Sequence, residues 1–315
     1  MKIAILDAKT LGDDINLSKI TDLGDATVYG TTPNDVVRER VLGCDTVVLN
    51  KVKFNENTVG KNSGVKLVCI TATGFDNVDL DFCRSENIAV CNVVGYSTNS
   101  VAQVTVAMVL SLFNHLAEYD EYAKQGLYTK SGVHNCLTPV YSEIAGKTWG
   151  IVGFGNIGKK VSEIAKALDC NILVHKRTPV DGFDCVDIDT LCEKSDIITL
   201  HTPLNEQTKH LINKDRISKM KESAILVNVA RGLVTDEEAV CDAIINKKIA
   251  GFGVDVFSTE PYPENHCFNK LKDYKNVIIT PHMAWGAYDA RQRCISEISE
   301  NIKAFYNGTK RSRVD

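Results

Sequence analysis

Apolar positions in this chain come in two alternating textures. Short unbroken runs rich in β-branched residues, KIAIL (2–6), TVVLN (46–50), KLVCITA (66–72) and IAVCNV (88–93), are separated by stretches of helical periodicity. Runs without polar alternation predict strands buried on both faces, as parallel strands are. SVAQVTVAMVLSLFNHLAEYDEYAKQG (100–126) has no proline, and no glycine before its end; it predicts one long helix closed by Gly126. After a polar stretch with Pro139 and Gly146 the alternation restarts. TWGIVG (148–153), NILVHK (171–176), DIITLH (196–201), AILVNVA (224–230), GFGVDVF (251–257) and NVIITPH (276–282) predict strands. Helical patterns lie between them, and Thr235 with Glu238 forms a capping box for one. A last helix is expected from about Tyr288 to Tyr306. Such alternation means βαβ units and parallel sheets. Two α/β blocks meet near the start of the long helix, and two such domains are expected to leave a ligand cleft.

Composition narrows the classes. A chain of 315 residues has room for two domains, and 44% hydrophobic with 24% charged residues is a globular balance. The net charge of −4, without blocks of like charge, argues against a nucleic-acid partner. No apolar run approaches the roughly 20 residues that span a bilayer, so no membrane partner is expected. MKIAILDAKTLGDD reads as a first strand rather than a signal peptide. The 11 cysteines are odd in number and include no C-x-x-C pair. They are expected as small buried hydrophobes in a reducing, cytoplasmic setting, with no metal site.

GFGNIG (153–158) keeps the G-x-G-x-x-G spacing of Gly153, Gly155 and Gly158. The spacing alone is weak, but here a strand ends at the first glycine and a helix opens at the third, with another strand beyond. In that context the glycines let backbone approach a pyrophosphate, and the helix start supplies N–H groups. An acidic residue at the end of the next strand would hold an NAD ribose. Eighteen residues after Gly158 stands Lys176, followed by Arg177. Cations there suit a 2′-phosphate, so NADP(H) is expected over NAD(H); the plainer reading is two solvated charges past a strand end.

Ligands of doubly wound sheets bind beyond the carboxyl ends of the strands. Three strands end towards Arg231, Glu260 and His282. Each has a plain reading, such as a turn for Glu260 before Pro261, but together they fit the reduction of a 2-keto acid. His282 supplies the proton. Glu260 orients the imidazole and favours its protonated form. Arg231 grips carboxylate and carbonyl oxygens in a fork.

GFGNIG, LHTPLNEQTKHLI, LVNVARGLVTDEEAV, GVDVFSTEP and TPHMAW stand in one order along the chain. With them the sequence resembles the D-isomer-specific 2-hydroxyacid dehydrogenases over essentially its whole length. The resemblance implies catalytic roles for Arg231, Glu260 and His282. It implies two doubly wound parallel-sheet domains: a Rossmann cofactor domain, 99–286, inserted into a flavodoxin-like substrate domain, 1–98 plus 287–315. Cofactor contacts carried over are Thr105, Phe154, Asn156, Ile157, His201, Thr202, Pro203, Thr208, Val229, Ala230, Asp255 and Ala284, beside the three glycines, Lys176 and Arg177. Lys51, Thr73, Gly74, Arg231, His282 and Trp285 are the expected substrate contacts. Thr73 and Gly74 in TATGFDNVD (71–79) would hold the carboxylate through backbone N–H groups. NKVKF (50–54), VAQVT (101–105) and PHMAWGAYDARQR (281–293) look most like the glycerate dehydrogenases, also called hydroxypyruvate reductases. That implies hydroxypyruvate or glyoxylate reduced to D-glycerate or glycolate, Trp285 closing a small pocket, and a homodimer. The alternatives are a dehydrogenase of this fold for D-lactate, a branched 2-hydroxy acid or phosphite, or a non-catalytic dinucleotide-sensing protein.

Overall fold

The computed structural model describes all residues, Met1 to Asp315. They form two compact units, Met1–Ser97 with Trp285–Asp315, and Thr98–Ala284.

The first unit holds strands β1 (Lys2–Ile5), β2 (Asp25–Val28), β3 (Thr46–Leu49), β4 (Leu67–Ile70) and β5 (Ala89–Cys91). All pair parallel, in the order β2-β1-β3-β4-β5, which is the flavodoxin-like order. β3 and β4 are buried at every position, which is why they read as unbroken apolar runs. β2 was not foreseen: DATV is a largely exposed edge with no apolar run to announce it. One face of the sheet packs Val47, Leu49, Val68 and Ile70 against Phe54 and Phe82. The other packs Ile3, Ile5, Leu67 and Cys69 against Ala290, Cys294, Ile295, Ile298 and Ile302. Those five residues lie on the helix Tyr288–Tyr306, which has the bounds expected from its periodicity.

The second unit holds β6 (Thr148–Val152), β7 (Asn171–His175), β8 (Asp184–Cys185), β9 (Ile197–Leu200), β10 (Ile225–Asn228), β11 (Gly251–Val254) and β12 (Val277–Ile279). The order is β12-β11-β10-β9-β6-β7-β8, again all parallel. Only the two-residue β8 was unforeseen. Strand order reverses between β6 and β9, and the glycine loop leaves β6 at that switch point. Beneath it Trp149 is fully buried, and its indole N–H donates to the buried Thr199 hydroxyl at 3.0 Å.

Two expectations need correction. The long helix is two: Thr98–Phe113 and Leu116–Lys124, bent by 63° where His115 takes a left-handed φ of 52°. The first helix buries eight residues and the second none, so the chain leaves the core at the break. Gly126 starts the short helix Leu127–Ser131 instead of ending a long one. The capping box at Thr235 is absent as well. Asp236 is the cap and accepts from the Ala239 N–H, while the buried Thr235 hydroxyl turns inward to donate to the Gly232 carbonyl. All 11 cysteines are free thiols. No single helix is long and apolar enough to cross a membrane.

Thr199→Val keeps the shape of the core but leaves the indole N–H without an acceptor. Urea unfolding is expected to show a loss of about 1–3 kcal/mol with an unchanged m value. An unshifted midpoint would mean that this hydrogen bond contributes nothing.

Candidate active site

Because the seven strands run parallel, their carboxyl ends share one edge of the sheet. That edge delivers the glycine loop from β6, Lys176 from β7, His201 from β9, Arg231 from β10, Glu260 from β11 and His282 from β12.

The three glycines have separate physical tasks. Gly153 has φ +90°, and a Cβ there would lie 2.7 Å from the backbone of His201 and Thr202. A Cβ on Gly158 would lie 2.2 Å from the Gly153 carbonyl oxygen, so the helix can sit on the loop only without a side chain. A Cβ on Gly155 would meet nothing within 4 Å: this glycine faces open space. The helix Asn156–Ala167 starts here, two residues before Gly158, with Gly155 as its cap and no side chain on its first N–H groups. An open cradle at a helix N-terminus fits a dinucleotide pyrophosphate.

The surrounding side chains differ in what they offer. Phe154 is buried edge-on to Phe183, Asn156 is exposed and Ile157 is half-buried. Beside the loop, both ring nitrogens of His201 are buried without a partner, and burial drives its pKa down to about 3. Thr202 keeps exposed surface, as does Pro203. The Thr208 hydroxyl donates to the Pro203 carbonyl at 2.7 Å, which closes the loop after β9. Lys176 and Arg177 are exposed, and no carboxylate ends β7. Thr105 departs from expectation: it has no exposed surface and its hydroxyl donates to Val101 within its own helix, so here it packs the core. Val104 is the half-buried neighbour. No group of three or more His, Cys, Asp or Glu side chains is arranged to hold a metal ion.

His282 and Glu260 are brought together directly. His282 Nδ1 lies 2.6 Å from Glu260 Oε2, and Glu260 Oε1 accepts the Phe257 N–H at 3.0 Å. An ionised carboxylate only accepts, so Nδ1 carries the hydrogen and Nε2 is left for proton exchange with a ligand. His282 has a left-handed φ of 52°. The buried Asp255 holds that turn: its carboxylate accepts from the Thr280 hydroxyl and from the N–H groups of Met283 and Ala284. Asp255, assigned above to the cofactor, thus has both oxygens engaged in shaping the His282 loop. Ala284 is buried with it. Arg231 follows the buried Val229 and Ala230, and its Nη1 donates to the Ala230 carbonyl at 2.8 Å. The next residue, Gly232, is outside the expected site residues; its one signal in the sequence is its place directly after the arginine. A Cβ there would lie 2.0 Å from the Phe257 carbonyl carbon, so the Arg231 and Glu260 loops touch backbone to backbone.

In the first unit, the exposed Lys51 follows β3, and its N–H donates to buried Asp7 at 2.6 Å. Thr73 follows β4; its hydroxyl donates to the Val93 carbonyl, and its own carbonyl accepts from Asn92. The N–H groups of Thr73 and Gly74 make no hydrogen bond within the chain. Trp285 is half-buried, edge-on to Tyr96 with ring centroids 6.3 Å apart.

Residues 106–284 match the model of the D-isomer specific 2-hydroxyacid dehydrogenase NAD-binding domain. The chain belongs to the D-isomer-specific 2-hydroxyacid dehydrogenase family. A relative named glycerate dehydrogenase, from Methylorubrum extorquens, is 35% identical over 90% of this chain and 89% of its own. An acyclic imino acid reductase solved with NADPH and D-Arg superposes with a TM-score of 0.88 at 28% identity, covering both chains completely. A D-lactate dehydrogenase from Aquifex aeolicus, solved with NAD and lactic acid, has a TM-score of 0.86 at 28% identity, over 98% of this chain and 96% of its own. The family binds a nicotinamide dinucleotide, and the open cradle at Gly155 is consistent with one.

His201 gives the site a pH signature. Its folded pKa of about 3 lies below the ordinary 6.5, so the unfolded chain takes up the proton first. Stability from this group is full above 6.5 and falls as pH drops towards 3, by about 1.4 kcal/mol per unit. Comparing urea unfolding of wild type and His201→Gln at neutral pH and near about pH 5 isolates the effect. Equal losses in both proteins would remove His201 as the cause.

Proposed function

We propose that this enzyme reduces a small polar 2-keto acid, hydroxypyruvate or glyoxylate, to the D-2-hydroxy acid, and catalyses the reverse oxidation. The observation that carries this reading is the 2.6 Å contact of His282 with Glu260, on the same sheet edge as the open glycine cradle. A bound nicotinamide supplies the hydride. His282 Nε2 delivers the proton to the nascent alkoxide in reduction and removes it in oxidation. Glu260 holds the ring by Nδ1 and compensates its positive charge. Arg231 binds the carboxylate and carbonyl oxygens, a task for a planar fork rather than a point charge. The unpaired N–H groups of Thr73 and Gly74 serve as carboxylate ligands, Lys51 adds a cation, and Trp285 limits substrate size. The name of the Methylorubrum relative and the segments around Lys51, Thr105 and His282 favour glycerate and hydroxypyruvate over lactate.

The decisive assay is initial rates for hydroxypyruvate, glyoxylate and pyruvate, each with NADH and NADPH. A preference for pyruvate would turn the assignment to D-lactate, and no turnover with any 2-keto acid would leave a sensor. His282→Asn retains a residue that tolerates left-handed backbone. It is expected to lose roughly 10²–10⁴-fold in kcat while melting like wild type; near-normal turnover would remove His282 from proton transfer.

NADP(H) is the proposed partner over NAD(H), supported by exposed Lys176 and Arg177 and the missing carboxylate at the end of β7. Lys176→Asp is expected to weaken NADPH by at least about 10-fold and leave NADH equal or better, read by fluorescence titration. Equal changes in both affinities would defeat this assignment. The proposed assembly is a homodimer through the cofactor unit. Its support is the segment after the helix break, where Leu116, Val133, Leu137, Val140 and Tyr141 are exposed, Val140 to 82%. Such a run of apolar surface marks an interaction site. Sedimentation at working concentrations checks it, and a monomer would overturn it.

A further inference from the structure

Behind the His282–Glu260 pair stands a second histidine–glutamate pair. Glu237 opens the helix Glu237–Ile245, and its Oε2 lies 3.1 Å from His266 Nε2. Both side chains are nearly buried, Glu237 exposed to 11% and His266 to 8%. His266 Nδ1 accepts the Phe268 N–H at 3.3 Å. The neutral ring therefore carries its hydrogen on Nε2 and donates it to Glu237. Phe268 and Tyr262 pack against this ring, each with centroids 4.9 Å away. The other oxygen of Glu237 accepts the N–H of Ser258 at 2.8 Å.

Ser258 is where this pair meets the site. Its neighbour Phe257 donates its N–H to Glu260, and the backbone of both residues is what Gly232 packs against. Glu260 lies two residues on, exposed in a turn without helix or strand support. Adjacent N–H groups of that turn are thus held by two carboxylates, one from the packed helix and one from Glu260 itself. Nothing in the hydrogen-bond pattern requires Glu237 for the helix, whose cap is Asp236.

We propose that Glu237 and His266 are a positioning pair that clamps the turn carrying Glu260 and thereby sets the orientation of the His282 ring. The inference rests on the proposed proton transfer by His282 and Glu260. In it His266 fixes the Glu237 carboxylate, Glu237 fixes the Ser258 amide, and the turn presents Glu260 to His282. Neither Glu237 nor His266 touches substrate. Their effect is on the rate of the chemical step rather than on ligand affinity.

A double-mutant cycle tests it, with Glu237→Ala, Glu260→Gln and the double variant. Glu237→Ala is expected to lower kcat by about 10-fold, with KM for hydroxypyruvate and NADPH within about twofold of wild type. In the Glu260→Gln background the same change is expected to cost almost nothing. Full additivity, or a loss confined to KM, would overturn the positioning role. If Glu260→Gln itself turned over like wild type, the proton-transfer reading would fall, and this inference with it. Amide exchange in the unliganded protein gives a readout independent of activity. In Glu237→Ala the Ser258 and Phe257 amides are both expected to lose protection, while β10 keeps its own. Faster exchange at Ser258 with Phe257 unchanged would show that Glu260 does not depend on the clamp. Should Glu237→Ala fail to fold, Glu237→Gln replaces it in the same cycle. Its amide oxygen can still accept from Ser258, but its NH₂ group opposes the His266 donor.

Discussion

Where one backbone lies in the space a Cβ would fill, the residue must be glycine, and the candidate site is assembled from such contacts. Gly153 admits the chain after β9, Gly158 admits the carbonyl of Gly153, and Gly232 admits the turn after β11. Each replaces a gap of one side chain by direct contact, so the loop from β6 braces the one from β9, and the loop from β10 braces the one from β11. Parallel pairing brings these loops to a common edge; the glycines decide how closely they approach once there. Gly155 belongs to the same stretch but does the opposite, keeping a space open. A sequence pattern that looks like one motif thus contains packing glycines and a vacant one.

Much of this was legible because burial on both faces writes itself as unbroken apolar runs. β1, β3, β4 and the longer strands of the second unit were visible for that reason. β2 and β8 were not, one an exposed edge and the other two residues long. The break at His115 was hard to see because residues 100–125 hold neither proline nor glycine; what changes there is tertiary packing, which a local pattern does not report. Thr235 lost the capping role to Asp236 because a buried hydroxyl had a carbonyl to satisfy. In the site, the residues themselves were readable from their place after strands, while their partners were not. The Glu237–His266 pair spans 29 positions, and no local pattern joins them.

Three histidines near this edge show how neighbours decide what an imidazole is. His282 is partly exposed with a carboxylate at one nitrogen, which leaves the other for exchange with a ligand. His266 is enclosed, with one nitrogen donating to Glu237 and the other accepting from Phe268, so nothing is left over. His201 is half-buried, but both its ring nitrogens are buried and unanswered, and burial keeps it neutral. The first arrangement leaves a nitrogen within reach of a ligand; the second suits holding a loop; the third costs stability in acid.

The first unit is discontinuous in the chain, and that has a consequence for synthesis. One face of its sheet, with Ile3, Ile5, Leu67 and Cys69, is covered by residues 290–302. Those residues leave the ribosome only after the whole second unit has been made. For that interval the nascent first unit carries an uncovered apolar sheet face, while the second unit, contiguous from Thr98 to Ala284, can already close on itself. The part made first is therefore finished last, its apolar sheet face closed only when residues 290–302 arrive.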